Sequence, residues 1–287
     1  IPWTTLLIGL WIPNFYYRGL NQFITQRTLA AKSLRQGQLG IIFAAFLKLL
    51  IPFIIIMPGI ISWQLYKAEL TAPGATTDQA YPLLIKNLVG PGMRGFILAA
   101  IAGAVISTLG SLLNSVSTLL TMDLYKRHIK KDADSRSLVR IGRWATLVFV
   151  IAVCLIAPQL GNPKFKGIFN YIQEFQGFIS PGVLAAFVFG LFVKKTPRFA
   201  GLTALVLNVP LYGALLIWAR DIAFLNRIGI TFAAIAAVLA LITLTRPLRE
   251  PVTMPEQKGF DLTPAPALKW LGPLVIVLTL ALYVIFR

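Results

Sequence analysis

The chain has 287 residues, of which 57% are hydrophobic and 13% charged, with a mean hydropathy of +0.75 and a formal net charge of +17. That charged fraction is about half of what soluble domains carry, so water is not the main solvent, and the two soluble domains that length alone would suggest are set aside. Basic residues lie in short patches between apolar runs rather than along one exposed face, which argues for membrane topology and against nucleic acid.

Eight apolar stretches predict membrane segments near residues 3–26, 40–63, 94–121, 138–158, 167–193, 199–219, 226–245 and 268–286. Helices are expected, because each run is long enough to cross ~30 Å at 1.5 Å per residue and a helix satisfies its own backbone where lipid cannot. The first stretch opens at once, Ile1 to Leu10, with no charged region ahead of it and no initiator Met, so an earlier part of the protein is expected. Cys154 is the sole cysteine, which leaves no internal disulfide and no multi-cysteine metal site.

Lysine and arginine set the orientation. Alternate connections hold Arg27, Lys32 and Arg35, then seven from Lys126 to Arg143, then Lys194, Lys195 and Arg198, then Arg246, Arg249, Lys258 and Lys269. The opposite side has Lys67, Lys86, Arg94, Lys164, Lys166, Arg220, Arg227 and Arg287. The first segment is therefore expected to run from outside to cytoplasm. On this reading the whole chain is one transmembrane domain with an external connection over 64–93, a basic cytoplasmic loop over 122–137 and a Pro-rich cytoplasmic tether over 246–267. The external connection reads either as a lid or as a solvated loop with a short helix.

Polar residues inside the apolar spans carry the functional signal. Pro13-Asn14 is expected to interrupt the first segment, and Tyr16, Tyr17, Arg18, Asn21 and Gln22 follow at mid-depth. Interrupted helices of this kind line cavities and bind solutes near the midplane; the competing reading is a break at the cytoplasmic interface. Lys48 lies on the order of 12 Å deep, where an ammonium needs acceptors such as a polyhydroxyl solute or neighbouring carbonyls.

The third segment, AAIAGAVISTLGSLLNSVSTLLTMD, is a stripe of small residues suited to close helix packing. Ser107 and Thr108 also lie three and four residues after Ala104, so two hydroxyls and one carbonyl can converge on one face as half of an oxygen cage for a monovalent cation. In the fifth segment Gln173 is a ligand candidate, since an uncharged amide both donates and accepts, and Glu174 reads either as a site residue or as an interfacial carboxylate. Ser180-Pro181-Gly182 is expected to bend that helix.

Three stretches closely resemble the sodium/solute symporter family, in particular its sodium/glucose and sodium/galactose branch. They are NQFITQRTLAAKSLRQGQLGIIFAAFLKLLIPFIIIMPGII (Asn21 to Ile61), SLLNSVSTLLTMDLYKRHI (Ser111 to Ile129) and YIQEFQGFISPG (Tyr171 to Gly182). The resemblance covers nearly the whole chain and is weakest after Arg198. It implies an all-α polytopic fold of the leucine-transporter-like inverted-repeat kind, with about eight of fourteen spans present and a multi-pass location in the cell membrane, the inner membrane in a bacterium.

The resemblance also implies alternating access, with inward sodium flow driving uptake of a sugar or similar small polar solute and sodium as the co-transported ion. By similarity Asn14, Lys48 and Gln173 match sugar-contacting positions, and Tyr17 matches the aromatic that closes the inner side of the pocket. Ala104, Ser107 and Thr108 match the helix contributing to the sodium site. Arg18 stands where that branch usually has tryptophan, which leaves the exact solute open. A symporter for a different organic solute, a transporter-like sensor and a channel are the competing functions. With no HExxH, GxSxG or paired carboxylates in the sequence, an enzyme is not expected.

Overall fold

The computed structural model describes residues 3–160, 168–252 and 261–286. All regular structure among them is helical. Contacts gather the chain into two compact units, residues 1–29 with 169–260 and residues 30–168 with 261–287.

In the first unit the opening stretch is a series of short pieces: α1 (Thr4–Ile8), α2 (Trp11–Phe15), π-helical turns over Tyr16–Leu20 and α3 (Gln22–Leu29). The interruption expected at Pro13-Asn14 falls elsewhere. Pro13 sits in the first turn of α2, where the N–H it lacks would have little intrahelical use. The breaks come instead at Gly9, packed against the Leu225 carbonyl where a Cβ would overlap, and at Asn21. Asn21 is extended, with φ −82° and ψ 118°, and its carbonyl accepts the first N–H groups of α3 from Ile24 and Thr25.

The same unit holds α10 (Ile168–Gln176), α11 (Ser180–Phe192), α12 (Ala200–Trp218) and α13 (Phe224–Thr245). Helices α11, α12 and α13 pack on one another. Ala185, Ala200 and Ala204 let the backbones approach, and Ile235 and Leu239 fill the seam. A second cluster of Ile12, Leu184, Tyr212, Leu225 and Ile228 fastens α2 to this bundle. Beyond α13 the tether is tied back, with the Leu248 and Val252 N–H groups donating to the carbonyls of Lys195 and Lys194 at 2.9 Å each.

The second unit begins with α4 (Leu34–Lys48), capped by the Ser33 hydroxyl, which accepts the Gln36 N–H at 3.3 Å. Pro52 has no N–H to give the Lys48 carbonyl; the helix pauses, then resumes as π-helical turns over Pro52–Ile56 and α5 (Met57–Leu65). The external connection folds into α6 (Lys67–Leu70), a left-handed turn at Gly74 (φ +83°), a 3₁₀ turn over Thr77–Gln79 and α7 (Ala80–Leu88). It packs back on α5, and the Ser62 hydroxyl donates to the Ala80 carbonyl at 2.6 Å.

Helix α8 (Pro91–Thr118) starts on a proline and runs on as π-helical turns over Leu119–Ile129, so the first half of the stretch read as a basic loop is helical. Helix α9 (Ser135–Leu160) packs along it where Gly142 meets the Ser117 hydroxyl. Helix α14 (Leu268–Ile285) lies along α4, and its approach is pinned by the Ala265 N–H donating to Gln38 Oε1 at 2.8 Å.

Among the described residues seven runs, over 34–65, 91–129, 135–158, 171–192, 200–218, 224–245 and 268–285, are long and apolar enough to cross a bilayer. They coincide with seven of the eight expected segments, and the eighth is the broken opening stretch. Uncovered faces are apolar, as with Leu147, Val148, Ile151 and Leu155 on α9, which suits lipid as the surrounding solvent.

Candidate functional site

Asn14, Tyr17 and Gln173 fall in the first unit; Lys48, Ala104, Ser107 and Thr108 fall in the second. Asn14 is exposed on α2, and its amide donates to the Leu10 carbonyl at 2.8 Å, which leaves its Oδ1 outward as an acceptor. Tyr17 is exposed in the π-helical turns that follow and stands edge-on to Phe23, ring centres 5.9 Å apart. Those turns widen the helix just where Tyr16, Tyr17 and Arg18 project, a deformation frequent at functional sites.

Gln173 is half-buried on α10. Its amide makes no hydrogen bond to the described residues, so both its donor and its acceptor are available. Below it the fifth segment is broken, as its sequence suggested, but one turn earlier than Ser180-Pro181-Gly182. The irregular residues are Gly177 to Ile179, and Pro181, in the first turn of α11, is the reason the Gly177 carbonyl four residues back has no helical donor.

Asn208, buried at 1% exposure on α12, bridges that break. Its Oδ1 accepts the Gly182 N–H at 3.0 Å and its Nδ2 donates to the Gly177 carbonyl at 3.3 Å. Gly177 has no room for a Cβ because the Tyr212 ring fills the space, and Gly182 none because Asn208 and the Ala204 carbonyl do. Sequence reading missed Asn208; the available signal was a lone amide in the middle of the apolar run GLTALVLNVPLYGALLIW.

Glu174, one residue past Gln173, forms an ion pair with Arg227 on α13. Arg227 had been counted among outward-facing loop cations; it lies instead in the first turn of α13 with its side chain only 5% exposed. Glu174, its side chain 35% exposed, therefore has a specific partner, since a buried guanidinium demands an anion.

In the second unit Lys48 ends α4 and helps line an apolar groove of about 430 Å³ with Pro52, Phe53, Thr279 and Tyr283, between its own helix and α14. Helix α14 was not part of the sequence reading of this residue. Ala104, Ser107 and Thr108 lie on one exposed, regular stretch of α8. The Thr108 hydroxyl donates to the Ala104 carbonyl at 2.9 Å, so the expected convergence of these two oxygens is present. Farther along, Ser111, Ser115, Thr118 and Thr121 each donate to the carbonyl four residues back, at 2.7–3.1 Å.

Residues 1–207 match the family model described as the sodium:solute symporter family. A sodium/glucose cotransporter of Vibrio parahaemolyticus is 39% identical over 276 residues, 92% of this chain and 50% of that protein. An uncharacterized symporter of Escherichia coli (strain K12), YidK, is 33% identical over 92% of this chain and 45% of its own length. A sodium/myo-inositol cotransporter 2 of Sus scrofa is 34% identical over 73% of this chain and 33% of its own. The chain thus spans half or less of the length of these relatives. A multi-pass membrane protein by its apolar helices and by this match over most of its length, the chain belongs to the sodium:solute symporter family.

Proposed function

We propose that the complete protein is a secondary active transporter that couples inward sodium flow to uptake of a sugar or similar polyhydroxyl solute by alternating access. The observation that carries this reading is the match to the sodium:solute symporter family, together with relatives named for glucose and myo-inositol, both ring-shaped polyhydroxyl solutes. Asn14 presents its Oδ1 and Gln173 a free amide to sugar hydroxyls, Lys48 supplies a cationic donor, and Tyr17 closes the inner side of the pocket. Sodium, as cargo, is held by the Ala104 carbonyl and the Ser107 and Thr108 hydroxyls with further oxygens from another helix. No covalent chemistry is required, because a potential of 100 mV contributes roughly 2.3 kcal/mol per sodium ion before the concentration ratio is added.

One observation favours a second reading of the solute. Arg18 is exposed beside Tyr17 in the π-helical turns, and a guanidinium there suits a solute that carries a carboxylate.

The test is uptake by the full-length chain in sealed vesicles, with a panel of labelled hexoses, inositols and sugar acids and with sodium or potassium outside. Saturable accumulation that needs sodium and collapses with a sodium ionophore is expected. Equal flux with either cation would overturn the symport reading, and non-saturating conductance would point to a channel.

A further inference from the structure

We infer that Arg227 is a positioning residue for solute binding: through Glu174 it holds α10, and so it sets where the Gln173 amide stands. This inference rests on the reading of Gln173 as a solute ligand.

Helix α10 has nine residues, and among those described it shares no extensive face with another helix. At its C-terminal end the α-helical ladder gives way to i→i+3 bonds from Gly177, Phe178 and Ile179, and the Gly182 N–H turns to Asn208, so α10 is not one continuous helix with α11. Side-chain anchors therefore help to set its direction. One set lies at the break itself, where Asn208 holds the Gly177 carbonyl and the Tyr212 ring fills the space beside Gly177. These fix the position of the joint but leave the tilt of the helix above it open.

The second anchor is the Glu174–Arg227 pair, one turn above the joint. Arg227 is itself rigid: its side chain is 5% exposed, and the Thr231 hydroxyl donates to its carbonyl at 2.9 Å within the well-packed α13. A carboxylate tied to such a group, together with the anchors at the joint, restricts the tilt of α10 and its rotation about its own axis. Gln173 is the preceding residue, about 100° around the helix, so fixing the bearing of Glu174 fixes that of Gln173. The contact is made through Nη2 alone, so it is the reach and direction of the guanidinium that place Glu174, where a lysine would act as a point charge.

The experiment uses the full-length transporter, with uptake normalised to surface protein. Arg227→Lys and Glu174→Asp keep both charges but change the geometry of the pair. Each is expected to raise the solute concentration for half-maximal uptake by about tenfold while leaving the maximal rate and the sodium requirement at saturating solute near wild type. In a Gln173→Ala background the same substitutions should add less than about twofold, since the group they misplace is already gone. The swapped pair, Glu174→Arg with Arg227→Glu, should recover part of the affinity.

Wild-type half-saturation in Glu174→Asp and Arg227→Lys, with Gln173→Ala impaired, overturns the positioning role and leaves Gln173 as a ligand. So does a full, undiminished effect in the Gln173→Ala background. Wild-type half-saturation in Gln173→Ala removes the ligand reading itself, and this inference with it. If Arg227→Lys does not reach the surface, Glu174→Asp decides between these outcomes, because its carboxylate is 35% exposed and its shortening buries no new charge.

Discussion

Replacing Asn208 with alanine removes a side chain that bridges the break between α10 and α11. Both backbone groups it serves, the Gly177 carbonyl and the Gly182 N–H, belong to buried residues. A buried polar group left without a partner costs about 1–3 kcal/mol. The 3.0 Å bond to the Gly182 N–H should count near the middle of that range and the longer 3.3 Å bond nearer the bottom. The sum is about 2–4 kcal/mol, with the small cavity left by the amide adding little. Equilibrium unfolding of the purified full-length protein in mixed micelles should register this loss. Hydrogen exchange should localise it, with the Gly182 amide exchanging at least about thirtyfold faster while amides in the middle of α13 change less. Stability within about 0.5 kcal/mol of wild type, with Gly182 protection intact, would refute the claim that Asn208 replaces the missing helical bonds.

Lys48→Ala should weaken solute affinity about tenfold or more at normal surface expression, since a hydrogen bond to a charged group is worth roughly 1.5–3 kcal/mol; unchanged uptake kinetics would remove it from the pocket. Ser107→Ala combined with Thr108→Val should raise the sodium concentration for half-maximal uptake and, by reciprocal linkage, lower apparent solute affinity in a way that added sodium partly restores. A wild-type sodium curve, or loss of expression with the original sodium dependence in the molecules that survive, would assign those residues to helix packing. Ser62→Ala removes the 2.6 Å bond to the Ala80 carbonyl and should speed proteolytic cleavage within 64–93 severalfold, whereas unchanged cleavage would mean that apolar contacts alone hold α7 on α5.

Helix positions were largely legible because apolar run length is a one-dimensional signal, and lipid demands that each run close its own hydrogen bonds. The breaks were less so. Pro13 drew attention as a breaker, yet it sits in a first turn, where proline costs little; Pro181 does interrupt the ladder, since it has no N–H for the Gly177 carbonyl, which Asn208 serves instead. The actual discontinuities lie at Gly9 and Gly177, residues chosen by what presses on them from α13 and α12. Such causes are tertiary and leave no mark in the local sequence. Arg227 was misread for a related reason: charge counting assigns a cation near a span end to the solvent, and only the fold brings Glu174 to it from 53 positions away. Of the expected site residues, the spacing of Ala104 and Thr108 on one helix turn was readable, because four residues make a fixed geometry within a helix.

The hydroxyls along α8 have a further chemical consequence. From Thr108 to Thr121, five of them commit their single proton to a carbonyl of the same helix. A hydroxyl so engaged has nothing left to donate; it can offer only lone pairs to whatever comes near. The stripe is thus polarised without bearing a formal charge, an electron-rich rail on an otherwise apolar rod. Anions gain nothing from it, and neither do ligands that arrive as acceptors. What the exposed part of the rail offers, as at Thr108, is lone pairs without a formal charge, whereas Ser115 and Thr121 are buried and offer theirs only to neighbouring side chains.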